Sequence, residues 1–165
     1  MQFLQWLENT AFGQFIASSA WANLVLLCLH AVGMGVVVGI LWMLDLRVLG
    51  FPKGLPLATF RPLMRLAWLG FLVNATSGIL MFSGAATRFI INTDFQLKML
   101  LILLGGISVL VLQRSLALAA RDCAGGEILD APPGLKILAA FSLLFWLGVI
   151  LFGRQIAYTL ARPAA

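Results

Sequence analysis

ANLVLLCLHAVGMGVVVGILWML, running from Ala22 to Leu44, is the stretch that decides the fold. No Asp, Glu, Lys or Arg occurs anywhere between Asn9 and Leu44. A helix needs roughly 20 apolar residues to cross the hydrocarbon core of a bilayer, and a helix of that length in a soluble core would show a polar face. The segment is therefore predicted to be a transmembrane helix. Three further apolar runs repeat the pattern, near Leu66 to Ala86, Phe95 to Leu116 and Leu135 to Tyr158. The third is interrupted early by Lys98, which is expected to snorkel toward the headgroups.

Around these spans the composition leaves little over. The 165 residues are 62% hydrophobic and 10% charged, against about 25% charged in soluble domains, and the mean hydropathy is +1.03. The chain reads as all-α, an integral membrane four-helix bundle forming a single transmembrane domain over residues 1–165, with the lipid bilayer as its first partner. An amphipathic helix over about 2–18 is expected ahead of the first span: Leu4, Leu7, Ala11 and Phe15 share one face, opposite Gln2, Gln5, Glu8 and Asn9. Such a helix lies in the interface, with Trp6 and Trp21 at headgroup depth. Because no Lys or Arg precedes Arg47, a basic signal-peptide start is missing and cleavage is not expected.

The net charge is +5, but the basic residues stand singly at the ends of apolar runs. That is a topology signal and not a nucleic-acid footprint. Arg47, Lys53, Arg61, Arg65, Arg114, Arg121 and Lys136 flank one side, and Arg88, Lys98, Arg154 and Arg162 the other, seven against four. Since basic residues favour the cytoplasm, both termini are predicted outside. Cys28 lies in a span and Cys123 in a polar loop, so two free thiols are expected.

Lipid tails are as apolar as leucine, so spans associate through close packing and polar contacts. Ala31, Gly35 and Gly39 form one stripe of small residues, and Gly70, Asn74 and Gly78 another beside Ser77. Asn74, half-way along its span, should face the bundle, either as interhelical glue or as a cofactor contact.

His30, the one histidine, stands about nine residues into its span, roughly 13 Å along the helix. An ionisable side chain at that depth is a functional candidate. Gly33, close by, could leave room for a flat group beside the imidazole, and the topology brings Lys98, Arg88 and Arg154 to the same half of the membrane. This arrangement suits three readings of His30: a buried hydrogen-bonding residue, a metal ligand to b-type haem with cations near the propionates, or a quinone or copper contact. For haem, a second axial ligand would have to come from Met81, Met99, another copy of the chain or a larger complex. Arg154 and Tyr158, one turn apart, equally form an ordinary interfacial anchor. Asp45, near a helix end that disfavours negative charge, is expected to need Arg61 or Arg65. Hydrolase, P-loop and zinc-protease motifs are absent from the sequence, so no catalytic residue is assigned.

LHAVGMG at 29–35, DLRVLG at 45–50, NTDFQLKML at 92–100 and GRQIAY at 153–158 together resemble an uncharacterised family of small bacterial four-span membrane proteins. More distantly the layout is similar to the cytochrome b and copper-resistance membrane families, which use paired histidines where this chain has His30 alone. The resemblance implies a bacterial inner membrane. Two functions follow as expectations: a small electron-transfer subunit binding haem b or quinone near His30, with Gly33, Asn74, Lys98 and Arg154 around the site, or a cofactor-free accessory subunit docking on a homo-oligomer or larger membrane complex. A transporter or copper-handling role is the weaker alternative.

Overall fold

A computed structural model describes residues 1–53, 55–122 and 131–161, and among these it is helical without strands. Seven α-helices follow one another: α1 (Gln2–Asn9), α2 (Ala11–Ser18), α3 (Ala20–Leu49), α4 (Phe60–Ser83), α5 (Ala86–Ile90), α6 (Thr93–Asp122) and α7 (Pro133–Ala161). A short 3-10 turn at Leu57–Thr59 leads into α4. The helices α3, α4, α6 and α7 are each long and apolar enough to cross a membrane. Their outward faces carry Val32, Leu72, Leu103 and Leu144, each 60% exposed or more. Surfaces of that kind are stable only against lipid, so the chain is a multi-pass membrane protein.

The third and fourth spans are longer than the charge-free runs within them. In particular, α6 begins at Thr93, and its apolar stretch reaches Leu118, so the third span crosses with residues to spare. Asn92 starts it by accepting from the Phe95 amide at 2.9 Å, the N-cap role in which asparagine excels. At the other end of α3, Gly50 adopts φ 106°, and Phe51 returns its amide to the Leu46 carbonyl at 2.9 Å. This left-handed closure satisfies the last carbonyls, and only glycine adopts it without strain.

The expected interfacial helix over 2–18 is two helices. Thr10 breaks it with an extended ψ of 150° and caps α2 by accepting from the Gly13 amide at 3.1 Å. The two segments fold onto the bundle at the α4–α5 corner. Glu8 accepts from the Thr87 amide and hydroxyl, both at 2.8 Å, and so caps the short α5 from outside. A Cβ on Gly13 would stand 2.6 Å from the Leu7 carbonyl oxygen and 3.0 Å from that of Ser83, which requires glycine at this crossing.

Within the bundle, α3 packs mainly on α4, α6 on α7, and α3 on α7. The α3–α4 seam is a backbone contact: a Cβ on Gly33 would lie 2.8 Å from the Asn74 amide nitrogen and from the Gly70 carbonyl oxygen. Small residues at an interface allow this approach. The expected stripe at Gly35 and Gly39 is not used here, for both are exposed with nothing within 4 Å of an added Cβ. Gly33 of α3, two residues from Gly35, and Gly70 of α4 carry the contact. At the α5 end, the rings of Phe82, Phe89 and Phe95 meet with centroids 5.5 to 6.1 Å apart, joining α4 to α6. Away from that end the α4–α6 side is open.

Candidate functional site

His30 begins ten residues into α3, about 15 Å along it, and turns into the bundle. Its Nδ1 lies 2.9 Å from the Asn74 carbonyl oxygen and 3.2 Å from Ser77 Oγ. Ser77 itself donates to the Val73 carbonyl at 2.7 Å, so its oxygen is left to accept. These partners put the proton on Nδ1 and the lone pair on Nε2. Lys98 Nζ then donates to Nε2 across 3.3 Å. In return, Asn74 Nδ2 donates to the His30 carbonyl at 2.7 Å, the interhelical role expected of it.

Glycines make the space. A Cβ on Gly78 would come within 3.1 Å of His30 Cε1, and one on Gly153 within 3.4 Å of Lys98 Nζ. The node therefore draws on all four spans: the imidazole from α3, its acceptors from α4, the ammonium from α6 and the glycine beside it from α7. Gly33 does not open room by the imidazole, because α4 backbone fills that side. Lys98 does not snorkel as a lone charged side chain would; the unprotonated imidazole nitrogen gives it a partner inside the bundle. Arg154 is not drawn into the node. It is exposed, donates to Tyr158 Oη at 2.9 Å and lies 5.0 Å from that ring's centre, which is the interfacial anchor.

One to two helical turns further along lies an apolar cleft of about 90 Å³. Its floor is Val37 and Leu41 of α3 with Trp146 of α7; Ala67, Trp68 and Phe71 of α4 face Ile102, Gly106 and Val109 of α6 across it. Trp68 and Leu110, at its rim, are 49% and 43% exposed, so the cleft opens sideways where lipid would lie. Lys98 is four residues from Ile102, and Asn74 three from Phe71. The cleft's upper end is thus one turn from the polar node.

The residues present do not fit haem. The imidazole Nε2 that would bind iron already accepts from an ammonium, and the cleft is smaller than the roughly 300–1,000 Å³ of pockets that enclose even drug-sized ligands. Among the described residues no three His, Cys, Asp or Glu side chains converge to hold a metal ion. Cys28 is a free, exposed thiol, and Cys123 lies outside the described residues.

Sequence reasoning placed Asn74 and Lys98 around His30 but did not foresee the direct bond between Lys98 and His30, 68 residues apart. Ser77 and Gly78 were visible only as small residues in a stripe, and nothing singled out the cleft, whose lining is ordinary core in composition. Comparison with family models, curated proteins and solved structures returns no match.

Proposed function

We propose that this chain is a small membrane subunit in electron transfer that binds a quinone, with the ring held beside Lys98 and the isoprenoid tail leaving through the lateral cleft. The single observation behind this reading is the Lys98–His30 pair one turn above an apolar cleft open to the lipid side. An ammonium has three donors, and the imidazole takes one, which leaves N–H groups for a quinone carbonyl. His30 serves as the positioning residue that holds the ammonium in place. A cleft of about 90 Å³ accommodates part of such a lipophile, and bilayer accommodates the rest. The resemblance to small bacterial four-span proteins and the seven-to-four basic bias support a bacterial inner membrane with both termini outside.

The test uses the tryptophans of the cleft. Adding a short-chain quinone to the purified protein in nanodiscs should quench Trp68 and Trp146 fluorescence saturably, and Lys98→Met should weaken binding at least tenfold, while Arg154→Gln should not. Linear quenching, equal in wild type and Lys98→Met, would remove the proposal. A Soret band lost in His30→Ala would restore haem in its place.

A second reading, a cofactor-free subunit docking on a larger complex, is favoured by the exposed Ala31, Gly35 and Gly39 face, which has no partner helix among the described residues. Disulfide trapping from Cys introduced at Gly35 separates the two: a cross-linked neighbour supports docking, and a chain that stays single while binding quinone opposes it.

A further inference from the structure

Below the cleft, on the side away from His30, a second set of polar atoms is buried without partners. Neither carboxylate oxygen of Asp45 has a hydrogen bond, nor do Ser142 Oγ, Gln113 Nε2 and the indole nitrogen of Trp42. The Trp146 indole nitrogen, also unpartnered, lies higher, at the cleft beside Gly105. Asp45 is 1% exposed and Ser142 0%. The register keeps these groups at one level: Asp45 follows Leu41 of the cleft floor by one turn, Gln113 follows Val109, and Ser142 precedes Trp146. A layer of Leu44, Val48, Leu57, Phe60, Leu112 and Ala139 closes the far side.

The charged groups on the surrounding helices do not supply the missing partners. Arg47, two residues on, projects from another side of α3 and donates to the Leu55 carbonyl. Arg65 of α4 and Arg114 of α6 are exposed. Lys136 of α7 stands six residues before Ser142 and has interactions of its own. The expected pairing of Asp45 with Arg65 is therefore not formed, and the Arg61 side chain lies outside the described residues.

Burying polar atoms without partners is destabilising, so the chemistry of a partner that would satisfy them can be read from the atoms themselves. A cation would engage Asp45 and Ser142 but leave the Gln113 and Trp42 N–H donors unpaired. An anion would suit those donors and meet the carboxylate. Water both donates and accepts, and a site with two to four polar partners is what an internal water requires.

We propose that Asp45, Ser142, Gln113 and Trp42 form an intramembrane water-binding site at which the Asp45 carboxyl exchanges a proton. The step is a bare transfer. The carboxyl O–H bond breaks, the proton bonds to a water oxygen, and the electron pair stays on the carboxylate. It needs no oxidant and stands independently of quinone binding.

Infrared spectra of the full chain in lipid vesicles, transferred from H₂O to D₂O, test this directly. The expected result is a carboxyl C=O band that Asp45→Asn removes, that shifts down within minutes in D₂O, and that Ser142→Ala and Gln113→Leu each displace. Should Asp45→Asn fail to fold, those two variants carry the same reading. Replacing sodium or potassium by choline should leave the band unmoved. A band inert to D₂O, a spectrum that responds to the cation, or no Asp45 carboxyl band at any pH would each overturn the site.

Discussion

Whether His30 and Lys98 hold each other, or merely lie near, is decided by a double-mutant cycle. Lys98→Met keeps the length of the side chain and removes one donor to Nε2. Interhelical hydrogen bonds in membranes average about 0.6 kcal/mol and reach about 1.7, which sets the expected loss. His30→Phe keeps a flat ring against Gly78 but deletes the Nε2 acceptor and the Nδ1–H bonds to α4. It also leaves the Lys98 ammonium beside an apolar ring, so its loss should be larger, about 1–3 kcal/mol. The decisive quantity is the effect of Lys98→Met in the His30→Phe background. With no acceptor, the ammonium gains nothing there, and removing it should be neutral or stabilising. The coupling should be at least about 0.6 kcal/mol, read from reversible unfolding in mixed micelles followed by circular dichroism. Losses that add within about 0.3 kcal/mol would show that the pair is a proximity and not a bond, and the quinone reading would lose its positioning residue.

Other consequences follow from particular contacts. Gly33→Ala places a Cβ 2.8 Å from α4 backbone atoms that cannot turn aside, so it should destabilise the fold by about 1–3 kcal/mol in the same unfolding assay. Gly35→Ala, with nothing within 4 Å, should stay within about 0.5 kcal/mol. Gly106→Leu also meets open space but fills the cleft; fluorescence titration should show quinone binding lost while the melting profile is retained. Glu8→Ala removes both bonds to Thr87 and should speed amide exchange at the start of α5, measured by mass spectrometry, with the span cores unchanged.

The spans were legible because lipid tolerates few charges, and the runs bounded by Arg65, Arg88, Arg114 and Lys136 could hardly be anything else. Their ends were not, since helices continue past the apolar run wherever caps such as Asn92 and Gly50 permit. The break at Thr10 was hidden inside an unbroken amphipathic pattern, which records a shared face but not a kink. On α3 the spacing points to the stripe of Ala31, Gly35 and Gly39, while Gly33 suggests room beside the imidazole. The choice of Gly33 over Gly35 depends on which side α4 approaches, and that is a tertiary property. Lys98 was misjudged for the same reason: seen on one helix it is an apolar stem with a charge to hide, and the acceptor that holds it lies on another. Asp45, read from its own helix end, called for an arginine; Ser142 and Gln113 gave no sign that they would join it.

The open α4–α6 side follows from how the other seams are made. Glycine contact brings α3 to α4 at backbone distance and α6 packs along α7, with α3 against α7 joining the two pairs. Between α6 and the α3–α4 pair, the described ties near the cleft's upper end are the phenylalanine cluster and the Lys98–His30 bond. The width of the cleft is then set from above, by a polar strut, while the floor stays fixed by Val37, Val38 and Val149, all nearly fully buried around Trp146. A lipophile entering from the side displaces lipid rather than protein, which keeps the ordering cost of binding low. On the proposed quinone reading, its head would arrive next to one of these two ties. A carbonyl that draws the ammonium aside would then loosen a bond that holds α6 to α3, which couples cleft occupancy to the Lys98–His30 bond within that proposal.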